Sequence, residues 1–155
     1  MKEKDKKVLL ELIEDGRESL SDIADKVGIA RQTVKRRIEQ LKERKLIENF
    51  CVNLSEDKIG LSERAYIILE AKPSSEERRK LENMVKSFEE VSQFHYLFGR
   101  FDAIIEIKTY NEDNLHYIIE KIHDFDVVED TETLIVHSRV KDDSLDPIRK
   151  VLNRE

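Results

Sequence analysis

The residues best equipped for chemistry lie in one short run. Between Arg31 and Lys45 the chain carries seven basic side chains (Arg31, Lys35, Arg36, Arg37, Lys42, Arg44, Lys45) against two acids, Glu39 and Glu43. Gln32 and Thr33 sit among them. Arginine can bond bidentately to guanine and glutamine to adenine, while threonine can touch a thymine methyl or a phosphate. The run therefore reads as a nucleic-acid contact, and equally as a solvated helix face, the commoner meaning of clustered charge. Other chemistry is thin. Of the four histidines (His95, His116, His123, His137), His116 and His123 share a helix face but are about 10 Å apart in helical rise, too far for one metal ion without a ligand between them. The single cysteine, Cys51, excludes an internal disulfide and a multi-cysteine zinc site and reads as a small strand residue. There is no phosphate-cradling glycine loop and no nucleophile motif. No catalytic residue, metal ligand or cofactor is expected.

The elements that must position the basic run follow from periodicity. At about 100° per residue, Val34, Ile38 and Leu41 form one buried stripe. Gln32 and Arg36 fall nearly opposite it, with Thr33 and Lys35 on the flanks. Arg37, Lys42, Arg44 and Lys45 lie nearer the core edge or the helix end, suited to phosphate contact or solvation. Glu39 and Glu43 would repel phosphate, so the first two turns should enter a groove. Upstream, Val8, Leu9, Leu12 and Ile13 mark a first helix that Gly16 stops. Ser19 and Asp22 form a capping pair for a second helix burying Leu20, Ile23, Ala24 and Val27, which ends at Gly28. Two helices joined by a tight glycine turn, the second one basic, make a helix-turn-helix pattern. Residues 46–54 are β-prone and read as a reduced wing followed by a linker strand.

Charge divides the 155-residue chain unevenly. Its formal net charge is −6, from 28 basic and 34 acidic residues. Residues 1–45 hold 13 basic and 10 acidic side chains, leaving 15 and 24 for the rest, so a +3 head precedes a −9 body. The longest charge-free stretch, residues 91–99, is far short of the roughly 20 apolar residues that span a bilayer. Acids interrupt the first apolar stretch, so no secretory signal is visible and a cytoplasmic, membrane-free protein is expected. Mixed charge signs and 39% apolar residues argue against disorder.

The body alternates strand and helix. Residues 65–69 form a strand core. Pro73-Ser74-Ser75-Glu76 opens a helix carrying Leu81, Met84, Val85 and Phe88. Residues 91–98 and 101–107 read as strands joined by a tight Gly99-Arg100 turn. Residues 111–124 form a second helix with Leu115, Ile118, Ile119 and Ile122 inward, and 127–139 a fourth strand. Strand-helix-strand-strand-helix-strand is the ferredoxin-like order, a four-stranded antiparallel sheet with both helices on one face. Tyr66, Phe94, Tyr96, Phe98 and Phe101 are expected to leave the other face apolar, which predicts oligomerisation. The fold class is thus α+β, a (winged) helix-turn-helix followed by a βαββαβ sandwich. Expected boundaries are 1–47 for the head, 48–61 for a β-strand linker, 62–140 for the sandwich and 141–155 for a C-terminal tail.

This combination resembles the Lrp/AsnC, or feast/famine, regulators, and in particular archaeal ones. The Lys- and Glu-rich composition, with only three Gln, also fits a thermophilic source. The resemblance runs from about Asp5 to Val136. Asp5 to Leu9 looks like the family's opening aspartate and apolar pair. Asp15-Gly16-Arg17-Glu18-Ser19 matches its D-G-R-x-S turn, and residues 23–29 its next helix and turn. Arg36, Arg37, Ile38 and Leu41 with Leu46-Ile47 match the recognition-helix region. Ile59-Gly60, Gly99-Arg100-Phe101-Asp102 and Thr131-Glu132-Thr133 resemble the pair before the first strand, the G-x-Y-D hairpin and the T-x-T of the last strand. Departures are Ala30 for the usual N-cap serine, Lys45 for the glycine ending the recognition helix, Phe98 before the hairpin glycine, and Arg100.

The resemblance implies a transcription factor, not an enzyme. It would bind double-stranded DNA at a pseudo-palindromic operator through Arg31, Gln32, Thr33, Lys35, Arg36 and Arg37. It would act as a homodimer or a higher assembly, tetramer or octamer. A small effector such as an amino acid would bind by position at Gly99, Asp102 and Thr133, with Arg100 as carboxylate partner. Phe98 could fill that pocket. Two other readings stand beside this one. The first is an enzyme on the same architecture, as in the related sirohaem decarboxylases, which lose the DNA-reading head. The second is a sensing module without DNA binding. The basic helix argues against both.

Overall fold

The computed structural model describes residues 1–71 and 74–154, which form two units. The first unit contains Met1–Asn53 and the C-terminal segment from Lys141 onward; the second is Leu54–Val140.

In the first unit three helices, α1 (Glu3–Glu14), α2 (Leu20–Val27) and α3 (Arg31–Glu43), enclose Val8, Ile23, Ala24, Val27, Val34 and Leu41. Leu9, Leu12, Leu20, Ile29, Ile38 and Ile47 pack at the margin. Both ends of α2 have a local cause. Ser19 Oγ accepts the Asp22 N–H at 3.1 Å and donates to the Asp22 carboxylate at 2.7 Å, so the capping pair closes through its side chains. Gly28, at φ 68°, ends α2 in the left-handed conformation, and Lys4 Nζ donates to the Val27 carbonyl at 2.6 Å.

The two ends of α3 lack these aids. Ala30, at its N-cap, offers no side-chain acceptor. At the other end Lys45 takes φ 55° and closes a Schellman motif, with the Leu46 N–H on the Leu41 carbonyl and the Lys45 N–H on the Lys42 carbonyl, both at 2.9 Å. A β-carbon in that conformation costs about 1–2 kcal/mol, and an absent cap about 1 kcal/mol. Ala30→Ser and Lys45→Gly should therefore each stabilise the first unit by about 1 kcal/mol, read as a rise in its thermal midpoint.

The expected wing and linker strand do not form. Residues 49–54 pair with no strand, and Phe50, Val52 and Leu54 are more than half exposed. An apolar alternation becomes a strand only when a neighbour accepts its backbone groups, and within one chain none lies alongside. Cys51 is consequently exposed and outside any strand. The 141–155 segment, expected as a tail, contains α6 (Asp146–Leu152), which packs against α1.

The second unit has the strands β1 (Glu63–Ala71), β2 (Val91–Tyr96), β3 (Ala103–Thr109) and β4 (Val128–Ile135), with α4 (Ser75–Ser87) after β1 and α5 (Glu112–His123) after β3. The sheet order is β2-β3-β1-β4, antiparallel throughout. Ser74 caps α4 and Asn111 caps α5, at 3.2 and 2.8 Å; the expected role of Pro73 in opening α4 lies outside the described residues. The core joins Ala65, Ile67, Leu69, Ala103, Ile105 and Ile107 on one sheet face to Leu81, Val85, Leu115, Ile118 and Ile122 of the helices.

The opposite face carries apolar side chains as expected, but not all of the expected ones. A bulge between Val91 and Gln93 shifts the alternation of β2, so Phe94 and Tyr96 pair with Ile105 and Ala103 on the helix side. Tyr96 donates to Glu82 of α4 at 3.2 Å beneath the Arg78 guanidinium. Phe98 is fully exposed at the hairpin tip, and Phe101 sits under Arg100, 4.9 Å from its ring centroid. Tyr66, Ile68, Ile104 and Leu134 share the open face with a charged cluster. There buried Glu106 meets the Tyr66 hydroxyl at 3.0 Å, Arg64 at 3.2 Å and the Ser92 hydroxyl. Glu56 meets Arg64 at 2.6 Å and Lys108 and Arg139 at 2.8 Å. A carboxylate on an outward-pointing core strand is tolerated because every charge in the cluster is answered.

Lys108 and Arg64 hold the Glu56 carboxyl at about 2, well below its ordinary 4.5, because they favour its charged form. A lowered folded-state value contributes stability above pH 4.5 that is lost as pH falls toward 2. Glu56→Gln should remove about 2 kcal/mol from the second unit at neutral pH and flatten its acid unfolding limb, measured by urea titrations across pH 2 to 6.

Candidate nucleic-acid interface

α3 presents its basic face because its other face is anchored. Val34 is fully buried and Leu41 1% exposed, which fixes the helix rotation about its axis. On the far side Arg31, Gln32, Lys35 and Arg36 are exposed and Thr33 is half-buried. Among the described residues, Arg31, Gln32 and Arg36 have no side-chain partner. Lys35 faces Glu39 one turn on, at 3.9 Å with both ends in solvent, a pair that costs little to break. The first two turns thus offer two free guanidinium groups and an amide, the donors and acceptors that read base edges in a major groove. Glu39 and Glu43 lie beyond, in the second half of the helix.

Arg37 does not belong to that face. Its guanidinium turns inward to the Asp5 carboxylate of α1, where Asp5 is 5% exposed, and Arg44 approaches the same carboxylate at 3.9 Å. Helix geometry explains the inward turn. Positions 34, 37, 38 and 41 follow the spacing of a buried stripe, so Arg37 projects from the edge of the core toward α1. Asp5 likewise shares the apolar stripe of α1 with Val8, Leu9 and Leu12. A carboxylate at a core position requires a cation, which is the signal that could have found the pair in advance. The ion pair ties α3 to α1.

The four expected effector residues do not converge within one chain. β2 ends at Tyr96 and β3 starts at Ala103, so the connection is a six-residue loop wider than the tight turn expected, closed by the Leu97 N–H on the Asp102 carbonyl at 2.8 Å. Gly99 adopts φ 153° at the loop tip, with open space where a side chain would be. The Asp102 carboxylate accepts the Ala71 N–H at 2.9 Å, holding the end of β1 to β3. Arg100 stacks on Phe101. Thr133 pairs with Ile67 on the helix-covered face, two strands and three register positions from Asp102, about 14 Å by strand geometry. Three of the four histidines bond locally: His123 to Thr131 at 2.9 Å, His116 to the Glu112 carbonyl at 2.9 Å and His95 to Gln93 at 3.1 Å. No group of three metal-ligating side chains occurs among the described residues, and no described helix is long and apolar enough to cross a membrane.

Known proteins match both units. Residues 1–42 match the AsnC-type helix-turn-helix domain, and residues 64–146 the Lrp/AsnC ligand binding domain. The HTH-type transcriptional regulator FL11 of Pyrococcus abyssi is 28% identical over 145 residues, covering 94% of this chain and 95% of the relative. An uncharacterized HTH-type transcriptional regulator of Pyrococcus furiosus is 30% identical over 139 residues, covering 90% and 93%. Among solved structures, E. coli AsnC superposes with a TM-score of 0.85 at 24% identity, over 93% of this chain and 97% of that one. A Neisseria meningitidis transcriptional regulator in complex with L-Met does so with a TM-score of 0.86 at 20% identity, over 96% and 99%. With a helix-turn-helix head, a βαββαβ body and matches to both domains along the chain, the protein belongs to the Lrp/AsnC family of transcriptional regulators.

Proposed function

We propose that the protein is a sequence-specific DNA-binding regulator that reads double-stranded DNA with Arg31, Gln32, Thr33, Lys35 and Arg36. The observation that carries this reading is the unpaired polar face of the first two turns of α3, opposite an anchored buried stripe. Arg37 supports the reader from behind. The protein acts as a homodimer or a higher even assembly, placing two recognition helices in successive major grooves of a pseudo-palindromic operator about one helical turn apart. Its role is regulatory and non-enzymatic. The acidic body, net −9, limits non-specific adhesion to DNA, so the specific contacts of the head set occupancy.

A small effector, an amino acid by analogy with the L-Met complex of the Neisseria protein, binds near the hairpin. There Gly99 supplies an exposed backbone N–H and Arg100 a carboxylate partner. Thr133 takes part only where a second copy completes the site, since one chain keeps it apart from Asp102.

Selection of random-sequence DNA by the purified protein, followed by mobility shifts on the selected site, tests the reading. A palindromic consensus bound with an affinity that falls steeply as salt rises is the expected result. Recovery of no consensus, or retention that ignores sequence, overturns it. Amino-acid additions in a thermal melt test the effector, whose binding raises the midpoint in proportion to the logarithm of concentration.

A further inference from the structure

The chain enters the head twice. Residues 1–53 build the three-helix core, and the chain comes back to it from Lys141. Along α1 the returning segment is held near both ends. Arg149 Nε donates to Glu14 Oε1 at 2.8 Å, and Lys6 Nζ donates to the Arg154 carbonyl. α6 therefore lies antiparallel along α1. Its apolar anchor, Leu152, is 7% exposed. Lys6, Leu10, Ile13 and Glu14 recur at helical spacing on one side of α1. Leu10 and Ile13 are half-buried yet take no part in the three-helix core, which leaves them to the side that α6 covers. Arg149 also meets Asp143 at 3.1 Å and Asp146 at 3.2 Å, closing the turn that leads into α6.

The two chain connections to the head are joined at their roots on the body. Glu56 and Asp57, just after the first connection, accept from Arg139 at 2.8 and 3.0 Å, and Arg139 lies two residues before the second connection begins. A head on one flexible six-residue linker could wander by about 13 Å. A second connection leaving the body from the same clipped point reduces that freedom.

We propose that α6 is a C-terminal latch: it makes the DNA-reading head a two-segment domain and, with the Glu56/Asp57–Arg139 clip, closes a loop of chain that restrains the swing of the head and so sets which half-site spacing the protein accepts. Only the last step rests on the DNA-reading function proposed above; the latch itself is a property of the free protein.

The experiment uses the full chain and the variant Leu152→Asp, which places a charge at the latch's apolar anchor. Hydrogen exchange without DNA is the first readout. In the native protein, amides of Asp146–Leu152 and of the C-terminal half of α1 should be protected. In the variant the former should exchange freely and the latter about tenfold faster, with the sheet amides unchanged. The second readout is affinity for the selected operator against copies whose half-sites are moved apart by about five base pairs, half a helical turn. The native protein should lose at least about tenfold on the altered spacing and the variant markedly less. Should Leu152→Asp unfold the head, Arg149→Ala removes only the ion pairs and should give the same two changes at smaller amplitude. Unprotected α6 amides in the native protein overturn the latch, as does release of α6 that leaves both α1 protection and spacing preference unaltered. Failure to bind any DNA sinks the regulatory reading, while the exchange readout still decides the latch.

Discussion

Arg36→Ala is expected to abolish operator recognition while leaving the fold intact. Arg36 projects from the second turn of α3, directly opposite the Val34–Leu41 stripe, and meets no other side chain among the described residues. Its removal therefore costs no internal contact, and the thermal midpoint should be unchanged. In a major groove its guanidinium would form a bidentate pair with guanine, an interaction that contributes about 1–3 kcal/mol of discrimination. A dimer makes it twice, so the loss should reach about 2–6 kcal/mol on the palindromic site. Binding to unrelated DNA should fall far less, because only one phosphate-attracting charge per head is lost. Lys42→Ala is the informative companion. Placed toward the helix end, it should weaken all sequences about equally and lower the salt slope by about 1 per head. Mobility shifts at several salt concentrations separate the two patterns. Unaltered operator affinity in Arg36→Ala would refute the groove assignment.

A second large effect is expected where no DNA contact is involved. Asp5→Ala should destabilise the head by about 2–4 kcal/mol, because the inward-turned Arg37 guanidinium loses its counter-charge in a nearly closed site. Arg37 Nε already lacks a hydrogen-bond partner among the described residues. The body, with its own core, should melt as before, giving a calorimetric trace in which one transition moves and the other does not. Operator affinity should fall too, since α3 loses the tie that sets its pose against α1. The apolar pair Asp5→Leu with Arg37→Met is predicted to recover the stability, because well-packed apolar groups replace buried ion pairs at little or no cost. Recovered stability with recovered DNA affinity would make Arg37 purely a support. Recovered stability with lost affinity would return it to the DNA interface.

Most of the architecture is legible in the sequence. Apolar spacing located all three head helices and the βαββαβ order, and Ser19, Gly28, Ser74 and Asn111 marked their ends. These are short-range signals. A cap bonds three residues away, a stripe repeats every three or four, and a strand alternates every two. The exposed face of α3 was legible for the same reason, since rotation about a helix axis follows from which residues are apolar.

What could not be read depends on partners distant along the chain. The cation for Asp5 stands 32 residues away, and Arg139 meets Glu56 across 83. Thus Arg37 counted as one more basic residue in a basic run until α1 was seen beside it. The face of β2 turned on a single bulge. With one extra residue between Val91 and Gln93 the alternation changes sides, which sends Phe94 and Tyr96 to the helices and leaves the open face to Tyr66, Ile68, Ile104 and Leu134 with Arg64, Glu106 and Lys108. The apolar alternation at 50–54 lacked a strand to pair with, and the terminal segment found a helix to lie on. Helix, strand and fold class came from local pattern, because local pattern is what backbone hydrogen bonding and amphipathicity obey. Which charges are consumed inside the molecule, and which remain exposed, was settled only when the helices and strands packed, because an ion pair depends on distance in space and not on distance along the chain.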